Sequence, residues 1–218
     1  MQPHQTAFLE LAVRHQVLRF GRFTLKSGRE SPYFFNLGQI ASGSAMRELA
    51  GAYAQALLSS KIEFDMLFGP AYKGIPLVTA VACALADPST GSGGRDVPYA
   101  YNRKEAKDHG EGGVLVGTPP RGRVVIVDDV LTAGTAMRES VTLLRSAGAE
   151  PAAALIALDR QEKGSGALSA VQEIERDARL RVIALVTVGD VMDFIERQPG
   201  NVEVLAAMRE YQRRYGIN

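Results

Sequence analysis

Asp128 and Asp129 are adjacent carboxylates followed by small residues: the run over 123–135 reads R-V-V-I-V-D-D-V-L-T-A-G-T. Small residues let backbone N–H groups approach an anion, and a helix starting here adds the partial positive charge of its N-terminus. Thr132 and Thr135 add hydroxyl donors, so the run makes a seat for one phosphate. Two carboxylates beside that seat would repel a bare polyanion. They make sense where they accept hydrogen bonds from sugar hydroxyls or hold Mg²⁺ through water. The chemistry indicated is that of a sugar phosphate. The chain has no G-x-x-x-x-G-K-[ST], which argues against a P-loop nucleotidase. Helix capping is the plain alternative role for the acids, but one Asp suffices for a cap.

Such a pair needs a strand to carry it and a helix behind it. The β-branched run Val124 to Val127 reads as a strand buried on both faces. Residues 135–147 carry apolar side chains at helical spacing, and Gly148 suits the helix C-terminus. Strand, acids, turn and helix form a βα unit, and open α/β sheets bind ligands at such strand ends. Upstream, the pattern predicts a helix over 6–18 with His15 at its surface, a β-hairpin over 20–36 and an amphipathic helix over 43–58. A short strand over 64–68 then enters a Gly-bounded loop and a helix ending at Ala86. Residues 88–96 read as a Ser/Gly-rich surface loop, and strands are expected over 97–101 and 114–116. Downstream, strands over 152–159 and 182–187 and helices over 166–177, 189–197 and 202–215 complete the chain. The fold expected is α/β, a mostly parallel central sheet flanked by helices, in one domain over 1–218 with a small hood from about 1–40.

Other candidate residues lie where this framework would gather them. In the hairpin, Lys26 can meet an anionic ligand, and Phe34 and Phe35 can frame a flat ring, with one of the pair expected in the core. The loop G-P-A-Y-K-G over 69–74 brings Tyr72 and Lys73, and its glycines would allow backbone conformations closed to other residues. Residues 102–113 are charged, hold three glycines and show no apolar stripe. They read either as a solvated loop or as a mobile lid that brings cations to a diphosphate. Arg160 stands at a strand end, where its guanidinium can meet a carboxylate or acyl oxygen, or else pair with Asp159 or Glu162.

The chain has 218 residues, enough for one α/β domain with a small extension, and 46% hydrophobic content supports a substantial core. A net charge of +1 gives no reason to invoke nucleic acid or an anionic membrane. The single Cys83 excludes an intramolecular disulfide and reads as a buried small residue in an Ala-rich helix. Neither a membrane span nor a signal peptide is apparent, and a cytoplasmic protein is the simplest reading.

The run V-V-I-V-D-D-V-L-T-A-G-T resembles the phosphoribosyl pyrophosphate (PRPP) loop of the type I phosphoribosyltransferases. Three further motifs narrow the resemblance to the orotate phosphoribosyltransferases: F-T-L-K-S-G with S-P-Y-F-F-N, R-K-E-A-K-D-H-G-E-G-G, and L-D-R-Q-E-x-G. It covers almost the whole chain. It implies Mg²⁺-dependent transfer of ribose 5-phosphate from PRPP to orotate, giving orotidine 5′-phosphate and pyrophosphate, in pyrimidine biosynthesis. It also implies a homodimer whose catalytic loop, 102–113, reaches the neighbouring subunit's site.

Site residues follow from the same resemblance. PRPP would be held by the loop residues Asp128, Asp129, Val130, Leu131, Thr132, Ala133, Gly134, Thr135 and Ala136. Lys26, Tyr72, Lys73, Arg103, Lys104, Lys107 and His109 would add further contacts. Orotate would meet Lys26, Phe34, Phe35, Thr132 and Arg160. Lys107, His109, Asp128 and Asp129 would carry catalysis, and Mg²⁺ would be held mainly through PRPP and water rather than by protein ligands.

Overall fold

The computed structural model describes residues 1–25, 28–91, 94–107, 113–164 and 166–217, without the side chains of Ala106 and Lys107. Helix α1 (Pro3–Arg14) starts earlier than its apolar spacing suggests, because Gln2 and Gln5 form a capping box around Pro3. Strands β1 (Leu18–Thr24) and β2 (Glu30–Phe35) pair antiparallel in a sheet of their own. Helix α2 (Gly43–Ser59) follows, capped by Ser42, then strand β3 (Met66–Gly69) and helix α3 (Gly74–Ala86).

Strands β4 (Tyr99–Lys107) and β5 (Gly113–Gly117) pair antiparallel. The strand therefore runs on through 102–107, where an irregular loop was expected. Polarity alone cannot rule out a strand: β5 pairs with β4 through Asn102 and, past an irregularity in register, again at Lys107. Strand β6 (Arg123–Val127), helix α4 (Thr135–Ser146) and strand β7 (Glu150–Asp159) match the sequence reading closely. Helix α5 (Ala170–Ala178) starts later than expected because the Ser169–Gln172 capping box sets its N-terminus. Strand β8 (Arg181–Thr187) and helices α6 (Val188–Glu196) and α7 (Val202–Tyr215) close the chain.

The large sheet has the order β5-β4-β3-β6-β7-β8, parallel except for the β4–β5 pair. Its central strand shows why β-branched residues suit it. Val125 and Val127 face one core with residues of α2 and α3, while Val124 and Ile126 face a second core with residues of α4 and α5. With period-2 alternation and helices on both faces, every position of β6 favours an apolar side chain. Truncating a residue such as Leu155 on the adjacent strand would cost about 2–5 kcal/mol.

Cys83 departs from the expectation of burial. It is exposed, because Val81, Ala82, Ala84 and Leu85 take the inward positions of α3. An Ala-rich helix has too little contrast between its faces for composition to place a cysteine.

The topology also fixes where a ligand belongs. From β3 the chain passes outward to β4, then crosses to β6 on the other side of β3. That reversal opens a crevice at the C-terminal ends of β3 and β6. The loops over 70–73 and 128–134 leave the sheet there.

Candidate active site

Asp128 and Asp129 end β6 in opposite electrostatic settings. Asp129 is only 7% exposed, and its Oδ2 accepts from Lys73 Nζ at 2.5 Å. Its other oxygen accepts from the Val130 N–H at 2.8 Å, and its carbonyl accepts from the Ala157 N–H at 2.8 Å. The residue is therefore more deeply set than an open strand end would suggest. Asp128 Oδ1 accepts from the Asp129 N–H at 2.9 Å. Burial, followed by the charge of Asp129, pushes the Asp128 carboxyl up to about 7, against opposing effects of that hydrogen bond and Lys73. From beneath, the fully buried Tyr53 of α2 donates its hydroxyl to the Asp128 carbonyl at 2.9 Å. Tyr53 gave no local signal in the sequence, since it lies in an ordinary amphipathic helix.

The turn after the acids has the form that an anion seat requires. Leu131 and Gly134 are buried, whereas Thr132, Ala133, Thr135 and Ala136 are exposed. Gly134 takes a left-handed conformation, φ 71°, which a side chain would strain. No side chain caps α4, so the free N–H groups of its first turn are open to a ligand. The acids do not cap the helix, and the capping alternative fails on this geometry.

Across the crevice, Gly69 and Gly74 serve close approach rather than unusual dihedrals. A Cβ on Gly69 would lie 2.2 Å from the Gly74 oxygen, and one on Gly74 would lie 2.6 Å from Pro70 Cδ. This packing brings Lys73, at the start of α3, to the β6 acids. The Ala71 N–H donates to Asn102 Oδ1 at 2.9 Å, tying the loop to β4. Tyr72 is 68% exposed, and Lys104 Nζ lies 4.8 Å from its ring centroid. Arg103 carries a buried Nη1 without a hydrogen-bond partner. Tyr72, Lys73 and Lys104 thus gather on the β3–β4 side of the acids, with Arg103 next to Lys104 in β4. Lys26 and His109 lie outside the described residues, as does the side chain of Lys107.

Arg160 lies two residues beyond the parallel bridge between Val130 and Leu158, beside the same loop. Its Nε donates to Glu162 Oε1 at 2.8 Å, and Nη2 lies 2.7 Å from that oxygen. The Nη2 contact lacks hydrogen-bond geometry, leaving a buried donor unsatisfied. The ion pair with Glu162, foreseen as an alternative to ligand binding, is present, yet it leaves donor capacity on Arg160. Of the hairpin aromatics, Phe35 packs on the core and sits 6.4 Å from Phe8, centroid to centroid. Phe34 packs on Phe23 at 5.6 Å with Arg19 alongside. The ring beside Arg160 is that of the buried Tyr33, at 4.9 Å, which the sequence pattern did not single out.

Among the described residues, no three His, Cys, Asp or Glu side chains cluster to hold a metal. The donor set at the acids is two carboxylates, one already paired with Lys73. That suits a hydrated Mg²⁺ completing its octahedron with ligand oxygens, not a protein-built cage. Among the same residues, no helix is long and apolar enough to cross a membrane.

Residues 36–175 match the family described as the phosphoribosyl transferase domain. The orotate phosphoribosyltransferase of Cellvibrio japonicus is 53% identical over 217 residues, covering 100% of this chain and 99% of that protein. That of Edwardsiella ictaluri is 55% identical over 217 residues, with both chains covered completely. The crystal structure of the Francisella tularensis orotate phosphoribosyltransferase superposes with a TM-score of 0.86 at 40% identity, covering 96% of this chain and 98% of that one.

Proposed function

The chain belongs to the phosphoribosyltransferase family, among its orotate phosphoribosyltransferases, and we propose that the β3–β6 crevice performs that reaction with the residues gathered there. Orotate and PRPP are converted to orotidine 5′-phosphate and pyrophosphate, a step of pyrimidine biosynthesis. The C1–pyrophosphate bond of the ribose breaks and a bond from C1 to the base nitrogen forms, with loss of that nitrogen's proton. Positive charge develops on the sugar and extra negative charge on the leaving group, so no covalent nucleophile is required.

The observation that carries this reading is the acid pair beside the uncapped start of α4. The N–H groups of Thr132 to Ala136 would take the 5′-phosphate, and Asp128 and Asp129 the ribose hydroxyls. Pyrophosphate would lie toward Tyr72, Lys73, Arg103 and Lys104, with Lys107 and His109 closing over it. Asp128 and Asp129 would help hold a hydrated Mg²⁺, which would supply further positive charge for the leaving group. Arg160, with Lys26, Thr132, Phe34 and Phe35, would orient orotate, a planar anion suited to a guanidinium edge.

The same proposal includes a cytoplasmic enzyme of one domain with a hood over about 1–40. It also includes a homodimer in which the lid over 102–113 serves the neighbouring site. Absorbance-monitored turnover of orotate with PRPP and Mg²⁺ tests the base, with adenine, hypoxanthine and uracil as controls. Consumption of orotate alone is expected. Turnover of a control base without orotate turnover would overturn the assignment.

A further inference from the structure

Glu162 is held from three separate parts of the chain. Its Oε1 accepts from Arg160 Nε at 2.8 Å and from the Tyr33 hydroxyl of β2 at 3.0 Å. Its Oε2 accepts from the Tyr211 hydroxyl of α7 at 3.1 Å, with Arg29 Nη1 at 4.0 Å. The side chain is 12% exposed, so this carboxylate has exchanged water for three hydrogen bonds and a guanidinium. The backbone around it is fixed as well. Gln212 Nε2 donates to the Arg160 carbonyl at 3.1 Å, the Gln161 carbonyl accepts from Ile217 N–H at 2.9 Å, and Lys163 N–H donates to the Tyr215 carbonyl at 2.8 Å.

These contacts leave the Arg160 guanidinium one direction in which to act. Its Nε edge is occupied by Glu162 and one face lies against the Tyr33 ring, 4.9 Å from the centroid. Nη2 lies on that same edge, 2.7 Å from Oε1, so Nη1, which donates to no described residue, remains. A guanidinium held by an edge and a face is preorganised for a planar anion; a free one must order itself on binding.

We infer that Glu162 is a positioning residue for orotate, acting through Arg160 and coupling the base site to the hairpin by Tyr33 and to the C-terminal helix by Tyr211. This rests on the reading of Arg160 as the base contact. Glu162 touches no substrate itself. It selects the guanidinium edge offered to the orotate carboxylate.

The test measures KM for orotate and for PRPP separately in Glu162→Ala, Glu162→Asp, Glu162→Gln, Arg160→Ala and the Arg160→Ala/Glu162→Ala pair. Glu162→Ala raises the orotate KM about tenfold, the scale of one lost hydrogen bond to a charged group, and leaves the PRPP KM unchanged. Glu162→Gln restores most of the loss, because its amide oxygen still accepts from Nε. Glu162→Asp keeps the charge on a shorter arm and gives a smaller rise confined to orotate; it carries the test if the alanine variant does not fold. In the Arg160→Ala background, Glu162→Ala adds no further loss. Equal rises in both KM values, an unchanged orotate KM in Glu162→Asp, or full additivity in the double variant each overturn the inference while an impaired Arg160→Ala keeps the base-site reading intact. A wild-type orotate KM in Arg160→Ala instead removes the base-site reading, and the inference with it.

Discussion

The ends of the neighbouring strands β6 and β7, proposed to hold the sugar phosphate and the base, are built by different means. At β6 the groups come from one continuous stretch, 128–136, and much of the binding surface is backbone. The acids there outnumber their partner: Lys73 answers Asp129, while Asp128 is left half-buried beside a like charge. At β7 the groups come from β2, residues 160–162 and α7, and Glu162 is hydrogen-bonded from all three. The β6 end is short of positive charge and stands open to what a substrate or metal brings. The β7 end is compensated in advance and holds a single side chain still. Under the proposed assignment, the phosphate seat is local and under-neutralised, whereas the base site depends on parts brought from a distance.

The comparison breaks most visibly at Asp129. Replacing it by Asn is expected to lower turnover by roughly 10²–10³, the scale of one lost transition-state contact. The fold should persist, because Lys73 is more than half exposed and can return to water. Full activity with a large fall in melting temperature would make Asp129 structural. Arg160→Ala is expected to weaken orotate by about 2–5 kcal/mol, as for a truncated member of a buried charge pair, while PRPP binding stays near wild type. Titration with each ligand separately decides it. Equal weakening of both would merge the two ends into one site.

Whether the β6 end draws its missing cations from another chain can be read by subunit exchange. If the chain forms the proposed homodimer, Lys107→Ala and Asp129→Asn dimers each have two defective sites. Random exchange at equal amounts makes about half the dimers mixed, each with one whole site if lids are shared, so activity should return to about a quarter of wild type. Verified exchange with no recovery would show that each lid serves its own chain.

The smallest effect sharpens the charge contrast without catalysis. The Asp128 carboxyl, raised by burial to about 7 from an ordinary 3.8, holds its proton more tightly in the folded state. Its favourable contribution is complete below the unfolded value and is lost as pH rises through the folded one. Asn cannot ionise. In the substrate-free and metal-free protein, Asp128→Asn should therefore raise Tm at pH 8 by about 2–4 °C and change little at pH 4. Calorimetry at both values checks it, and an equal gain at the two would remove the charge explanation.

The sequence by itself determined what short-range physics controls. Val124 to Val127 had to be a doubly buried strand, because four apolar β-branched residues leave no face for water. D-D-V-L-T-A-G-T stood out as the candidate ligand turn, because paired acids followed by small residues exceed what a helix cap requires. The strand order and the crevice needed the whole chain, since pairing partners such as Phe68 and Ile126 are far apart in sequence. Burial of Asp129, exposure of Cys83 and extension of β4 to Lys107 depend on which neighbours cover them, and residue type does not encode that. Tyr33, Tyr53, Glu162 and Tyr211 carried no local pattern. Their roles arise where a hydroxyl or carboxylate from one element finds its partner on another, and only the folded chain brings them within 3.1 Å.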